Sequence, residues 1–125
     1  MADEFRLTIT GTLTNGDFND TLPAGSYSID QAAIGRGGSV QTIGTTVGGD
    51  IVVFGDVATA GYLYLKNLDD TNFVEYGPDT GGDAMQAMGK LKPGEPAILR
   101  MSPGVVLYAK ADTDDVKLDV RLYAD

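Results

Sequence analysis

The chain has 125 residues, 18 acidic side chains against 9 basic ones (a formal charge of −9), 42% apolar residues, and no histidine, cysteine or tryptophan. That length suits one domain, and the missing side chains exclude disulfides, thiol nucleophiles, Ser-His catalysis and most transition-metal sites. Nine scattered cations do not make a nucleic-acid face, and no run nears the roughly 18 apolar residues of a membrane span.

Of the 18 acids 15 are Asp, and there are 17 Gly and 5 Pro. Asp, Gly and Pro form turns, whereas Glu is the acid that helices favour, so many short strands are expected. Met1-Ala2-Asp3-Glu4 is acidic where a secretion leader is basic. Residues 5–14 alternate, with Phe5, Leu7, Ile9 and Leu13 apolar and Thr8, Thr10, Thr12 and Thr14 between them. That period predicts a half-buried strand. It ends at the turn Asn15-Gly16-Asp17, and 18–23 reads as a loop. Residues 25–29 form a short strand with Tyr27 and Ile29 on one side, and 35–38 break the chain again. A strand over 39–47 closes at Gly48-Gly49-Asp50. Four successive apolar residues at 51–54 predict a strand covered on both faces, or an edge under a loop.

Residues 62–67 and 72–76 read as a hairpin around 68–71, followed by a loop over 77–83. Residues 84–91 fit two patterns. Ala84, Met85, Ala87, Met88 and Leu91, with Asp83 as N-cap, suit a short helix, and Met85, Ala87, Gly89 and Leu91 suit a strand. The neighbouring strands favour the second, since so short a helix is marginal. Lys92-Pro93-Gly94-Glu95 is a turn, and 96–101 with 105–111 read as another hairpin around Ser102-Pro103-Gly104. After a turn at 112–115, residues 116–123 alternate throughout. Positions 116, 118, 120 and 122 face a core, and the charged outward set discourages edge-to-edge pairing. The expected fold is all-β: one antiparallel β-sandwich domain over 1–125, of jelly-roll or Greek-key-like order.

Candidate chemistry is sparse. Asp69, Asp70 and Asn72, or Asp17, Asn19 and Asp20, or Asp112, Asp114 and Asp115 cluster oxygens, but none has the spaced ligands of a Ca²⁺ loop, and such residues cap turns. Glu75, Glu95 and Asp119 are the acids away from turn tips, yet a glycosidase pair needs one acid in an apolar pocket and these read as surface residues. Gly35-Arg36-Gly37-Gly38 and Gly48-Gly49 lack the helix and lysine of a phosphate loop. Tyr27, Tyr62, Tyr64, Tyr76, Tyr108 and Tyr123 suit sugar stacking, interface anchoring or packing within sheets. No catalytic, metal-binding or cofactor-binding residue is assigned, and no cofactor is expected.

Four stretches carry a resemblance. Gly61-Tyr62-Leu63-Tyr64-Leu65-Lys66-Asn67-Leu68-Asp69 is followed by Asn72-Phe73-Val74-Glu75-Tyr76-Gly77. Leu91-Lys92-Pro93-Gly94-Glu95-Pro96 then leads to Leu107-Tyr108-Ala109-Lys110-Ala111. The succession of an N-x-D turn between strands, an L-K-x-G-E turn and a Y-A-K-A strand, over 57–125, resembles small structural proteins of tailed bacteriophages. The resemblance implies a non-enzymatic virion component made in the host cytoplasm: a head decoration or cement protein, or a small tail-associated sandwich. It implies partners among the major capsid protein, other virion proteins and copies of the chain itself, a trimer on a local symmetry axis being one arrangement. It implies no active-site positions, and neither nucleic acid nor membrane as partner.

A terminal strand can add to a neighbour's sheet edge, and long loops dock readily. The expected interface residues are therefore Ala2, Asp3, Glu4 and Phe5 of the N-terminal segment, Phe18 and Leu22 of the first loop, and Pro78 of the 77–83 loop. The competing functions are a carbohydrate-binding module of a tail or adhesion apparatus, using a row of tyrosines, and a small Asp/Glu hydrolase.

Overall fold

The computed structural model describes residues 4–32, 35–57, 59–82 and 84–125, with Glu4 described by its backbone alone. Every regular element among the described residues is a strand, and every strand pairing is antiparallel. The chain divides into two compact units, Met1–Ala32 and Ala33–Asp125.

The first unit is a hairpin of β1 (Glu4–Asn15) and β2 (Phe18–Asp30). Gly16 and Asp17 form a two-residue turn with Gly16 at φ 59°, the positive value that lets a hairpin turn follow the strand twist. The expected loop over 18–23 is thus corrected to strand. Pro23 argued against a strand because it cannot donate to a ladder. Here the register shifts between the pairs Ile9↔Gly25 and Gly11↔Leu22, so Pro23 and Ala24 fall in a bulge where no donor is required. The strand expected at 5–14 exists, but its apolar residues lie outside the buried core of the chain.

The second unit holds β3 (Arg36–Gly37), β4 (Val40–Ile43), β5 (Asp50–Ile51), β6 (Ala60–Asn67), β7 (Val74–Pro78), β8 (Gly89–Leu91), β9 (Pro96–Arg100), β10 (Leu107–Ala111) and β11 (Val116–Ala124). One sheet has the order β3-β11-β6-β9, with β4 also paired to β11, and the other β5-β10-β7-β8. Taking β3 and β4 as one interrupted first strand, the orders are first-eighth-third-sixth and second-seventh-fourth-fifth. That is a jelly-roll sandwich.

Its core is read directly from period two. Val116, Leu118, Val120 and Leu122 of β11 are buried with Leu63 and Leu65 of β6. From the other sheet come Val74, Leu91, Leu107, Ala109 and Ala111, so the core lies between the layers. Each large side chain so buried contributes about 1.5–3 kcal/mol. Of the edge strands β3, β5, β8 and β9, the first three have only two or three residues each and β9 opens with Pro96, which limits pairing with other chains. β11 is flanked by β3, β4 and β6, so its outward charges coat a sheet face rather than guard an edge.

Both hairpins expected in this unit are corrected. β6 and β7 lie in different sheets, and so do β9 and β10, so residues 68–73 and 101–106 carry the chain across the sandwich. The strand expected at 39–47 shortens to β4 and that at 51–54 to β5. Ile51 and Val53 are 55% and 58% exposed while Val52 is buried, so this segment is not covered on both faces. The Gln41 amide there replaces a strand partner, donating to the Val53 carbonyl (2.6 Å) and accepting from its N–H (2.9 Å). Over 84–91 no helix forms among the described residues, and the expected strand shortens to β8, paired with β7, preceded by an isolated bridge of Met85 to Asp79, with Ala87 exposed. The proposed N-cap Asp83 lies outside the described residues.

Candidate interaction surfaces

Strand alternation builds the first surface, on the hairpin. Register places Phe5, Leu7, Ile9 and Leu13 of β1 on one face with Phe18, Leu22, Tyr27 and Ile29 of β2, Asn15 and Asp20 being the polar residues at its turn end. Arg6, Thr8, Thr12, Thr14, Asn19, Thr21, Ser26 and Ser28 take the other, where Thr8 and Ser26 hydroxyls lie 3.2 Å apart. The apolar face is open: Leu13 is 51% exposed, Phe18 60%, Leu22 59% and Tyr27 51%. A two-stranded ribbon is at best marginally stable in water, so such a face is unfinished without a covering surface. Of the expected interface residues, Phe5, Phe18 and Leu22 share this face, while Glu4 stands opposite Asp30 by its backbone. Ala2 and Asp3 lie outside the described residues. Pro78 belongs to the second unit, ending β7 rather than lying in a loop. It lines a shallow apolar depression of about 220 Å³ with Met88, Leu99, Met101, Val105 and Leu107.

The second surface is the outer face of the five-stranded sheet. Tyr62 on β6 is level with Arg100 on β9, and Tyr64 lies between Ile98 of β9 and Arg121 of β11. Tyr123 of β11 is level with Arg36 of β3, beside the register shift next to Gly61 and Tyr62. The Arg100 guanidinium sits 4.9 Å from the Tyr62 ring centroid and that of Arg121 5.8 Å from Tyr64, within cation–π range. Asp125 fixes Arg100 at 2.9 Å, and Asp119 holds Arg121 in a two-point fork at 3.2 and 3.3 Å. Of the other tyrosines, Tyr27 is on the hairpin, Tyr108 is buried and Tyr76 packs against the core. The expected row of six exposed tyrosines is not formed: Tyr62, Tyr64 and Tyr123 share one sheet face but are half-buried, and Tyr27 is the exposed one of the six.

The acids have local duties. Asp69 accepts from the N–H groups of Asn72 (2.5 Å) and Thr71 (3.0 Å), and these bonds hold its pKa below the usual carboxylate value. Asp20 accepts from the N–H of Thr21 at 2.9 Å, and Asp50 from Gly44 at 2.7 Å. Glu95 closes the 92–95 turn by accepting from the Lys92 N–H at 2.6 Å. Glu75 stands between Lys90 and Lys110, on the sheet opposite Asp119, so these carboxylates do not converge. None of the three lines the apolar depression. Among the described residues, no three acids are placed to hold one metal ion.

The residue that sequence reasoning missed is Asn67. Fully buried at the end of β6, it donates to the carbonyls of Asn72 (2.8 Å) and Leu91 (3.1 Å) and accepts from the Asp69 N–H (2.9 Å). The N-x-D turn is therefore two successive side-chain-to-backbone turns that steer the crossing between sheets. Comparison with protein-family models, curated proteins and solved structures finds no match to this chain.

Proposed function

We propose that this chain is a non-enzymatic structural protein of a bacteriophage virion, a capsid decoration or cement protein that stabilises the shell through protein–protein contacts. The observation that carries the reading is the hairpin: a separate unit of the fold, one face of which is apolar and open to water. Covering Leu13, Phe18, Leu22 and Tyr27 on the major capsid protein contributes on the order of 1 kcal/mol per side chain. A protein that binds only the assembled shell stabilises it by mass action. The bacteriophage resemblance of residues 57–125 supports this reading, and by analogy of fold so does the jelly roll, which recurs in viral capsid proteins.

Mass spectrometry of purified particles tests it. Copy numbers comparable with the shell protein are expected, a handful of copies assigns the chain to the tail, and absence refutes the reading. Phe18→Asp combined with Leu22→Asp should abolish binding to isolated shells while the body melts as before. A carbohydrate-binding module draws support from Tyr62, Tyr64 and Tyr123, but guanidinium groups lie over two of those rings where a sugar would stack. A glycan array without hits, alongside shell binding, removes that alternative.

A further inference from the structure

The charge of the second unit is segregated. Arg36, Lys66, Arg100, Lys117 and Arg121 belong to the outer face of the five-stranded sheet, together with the carboxylates of Asp119 and Asp125. Five cations less two carboxylates is +3, and the second unit, with eight cations and thirteen acids, carries −5, so the rest of that unit carries −8. The balancing acids concentrate at one end of the sandwich. The loops between β4 and β5, β6 and β7, β8 and β9, and β10 and β11 meet there. They are joined by bonds from Ala111 N–H to Gly44, Asp112 N–H to Phe73 and Asn67 N–H to Glu95. That end carries Asp50, Asp69, Asp70, Glu95, Asp112, Asp114 and Asp115 against Lys92 as the cation of those loops. Asp70, Asp112, Asp114 and Asp115 are exposed.

We infer that the Arg–Tyr face of the five-stranded sheet is a self-association surface whose occupant is the acidic loop end of a second copy of this chain. Lys66 and Lys117 border the acidic loops, the Lys117 carbonyl accepting from Leu68 N–H, but Arg36, Arg100 and Arg121 lie further along the strands, so their complementarity to the loop end is satisfied only between molecules. Copies of charge −9 repel in most orientations, and opposed patches select the one that does not. Tyr and Arg are also the side chains on which interface energy concentrates. The contact is head-to-tail, so successive copies close a ring or continue as a filament. Its size sets its strength. Strands about 4.8 Å apart and about eight residues long give a face of roughly 400–500 Å². That is below the ~800 Å² per partner of a stable complex, so association is weak and seen at high local concentration. The inference stands independently of any role in a virion.

Sedimentation velocity of the full chain, from ~10 μM to ~1 mM protein, tests it. Association is expected in ~20 mM salt and should weaken about tenfold or more in ~500 mM salt, where screening shortens to a few ångströms. Arg100→Glu with Arg121→Glu should be monomeric, as should Asp112→Lys with Asp114→Lys, and mixing the two variants should restore association. Lys66→Glu with Lys117→Glu replaces the first variant if circular dichroism shows that it does not fold. A wild-type monomer throughout, association that survives both reversals or yields only to Leu22→Asp, or reversed variants that fail to recombine overturns the inference.

Discussion

Replacing Asn67 with Ala removes three hydrogen bonds at a site with no exposure to water. The orphaned groups are the carbonyls of Asn72 and Leu91 and the N–H of Asp69, each from a different part of the corner where the chain leaves β6. At about 1–1.5 kcal/mol per bond, the loss is about 3–5 kcal/mol, a large share of the roughly 5–15 kcal/mol that holds a domain together. Urea unfolding followed by circular dichroism measures it. With an m-value near 2 kcal/mol/M, the midpoint should fall by roughly 2 M. Asn67→Leu separates bonding from packing, because it fills the space yet satisfies none of the three groups. It should be nearly as damaging as the alanine. A loss below about 1 kcal/mol for Asn67→Ala, or a leucine variant as stable as the parent, refutes the assignment of Asn67 as the polar anchor of the corner.

Asp69→Asn tests the turn that follows. Because the carboxylate's folded-state pKa is lowered by the N–H groups of Asn72 and Thr71, its stabilisation is complete above the unfolded-state value near 3.8 and fades as pH falls toward the lower folded-state value. Melting curves of parent and variant should therefore differ at pH 7 and converge in acid; a gap independent of pH contradicts the mechanism. At Gly77 a Cβ would collide with the Gln86 backbone carbonyl, whereas at Gly82 it would meet nothing. Gly77→Ala should lower stability by about 1–3 kcal/mol in a thermal melt and Gly82→Ala should change it little.

What was legible in the sequence was local. Alternation located β1 and β11, residues 62–67 read as a strand where β6 lies, the inward residues of β11 are the buried ones, and the Pro-Gly turn at 92–95 closes as expected. Turn chemistry could not say whether the chain returns beside the strand it leaves or crosses to the facing sheet, since Asp and Gly suit both. At 68–73 the decision rests on Asn67, whose partners include Leu91, far along the chain. The Arg–Tyr face was hidden for the same reason. It assembles from β3, β6, β9 and β11, and Arg36 reaches Tyr123 only through strand pairing between distant segments. The Gln41 amide standing in for a strand partner likewise leaves no periodic trace.

The bulge at Pro23 and Ala24 ties the hairpin's geometry to its proposed use. Beyond the bulge Tyr27 and Ile29 face the apolar side with odd numbers, and before it Phe18 and Leu22 do so with even ones. In an unbroken strand, side chains at odd and even positions point to opposite faces, so Phe18 and Leu22 would join the threonines. By absorbing the extra residue, the bulge keeps all eight apolar side chains on one face. A ribbon needing only solubility gains nothing from this, whereas a docking face requires it. Inserting one residue after Thr10 gives the extra residue of β2 a partner, which removes the bulge and turns Leu13, Phe18 and Leu22 to the opposite face from Tyr27 and Ile29. The expected result is loss of shell binding and weaker uptake of an apolar dye, with the jelly roll melting unchanged. Undiminished shell binding by the insertion variant separates the hairpin's apolar face from docking and returns the search to the surfaces of the sandwich.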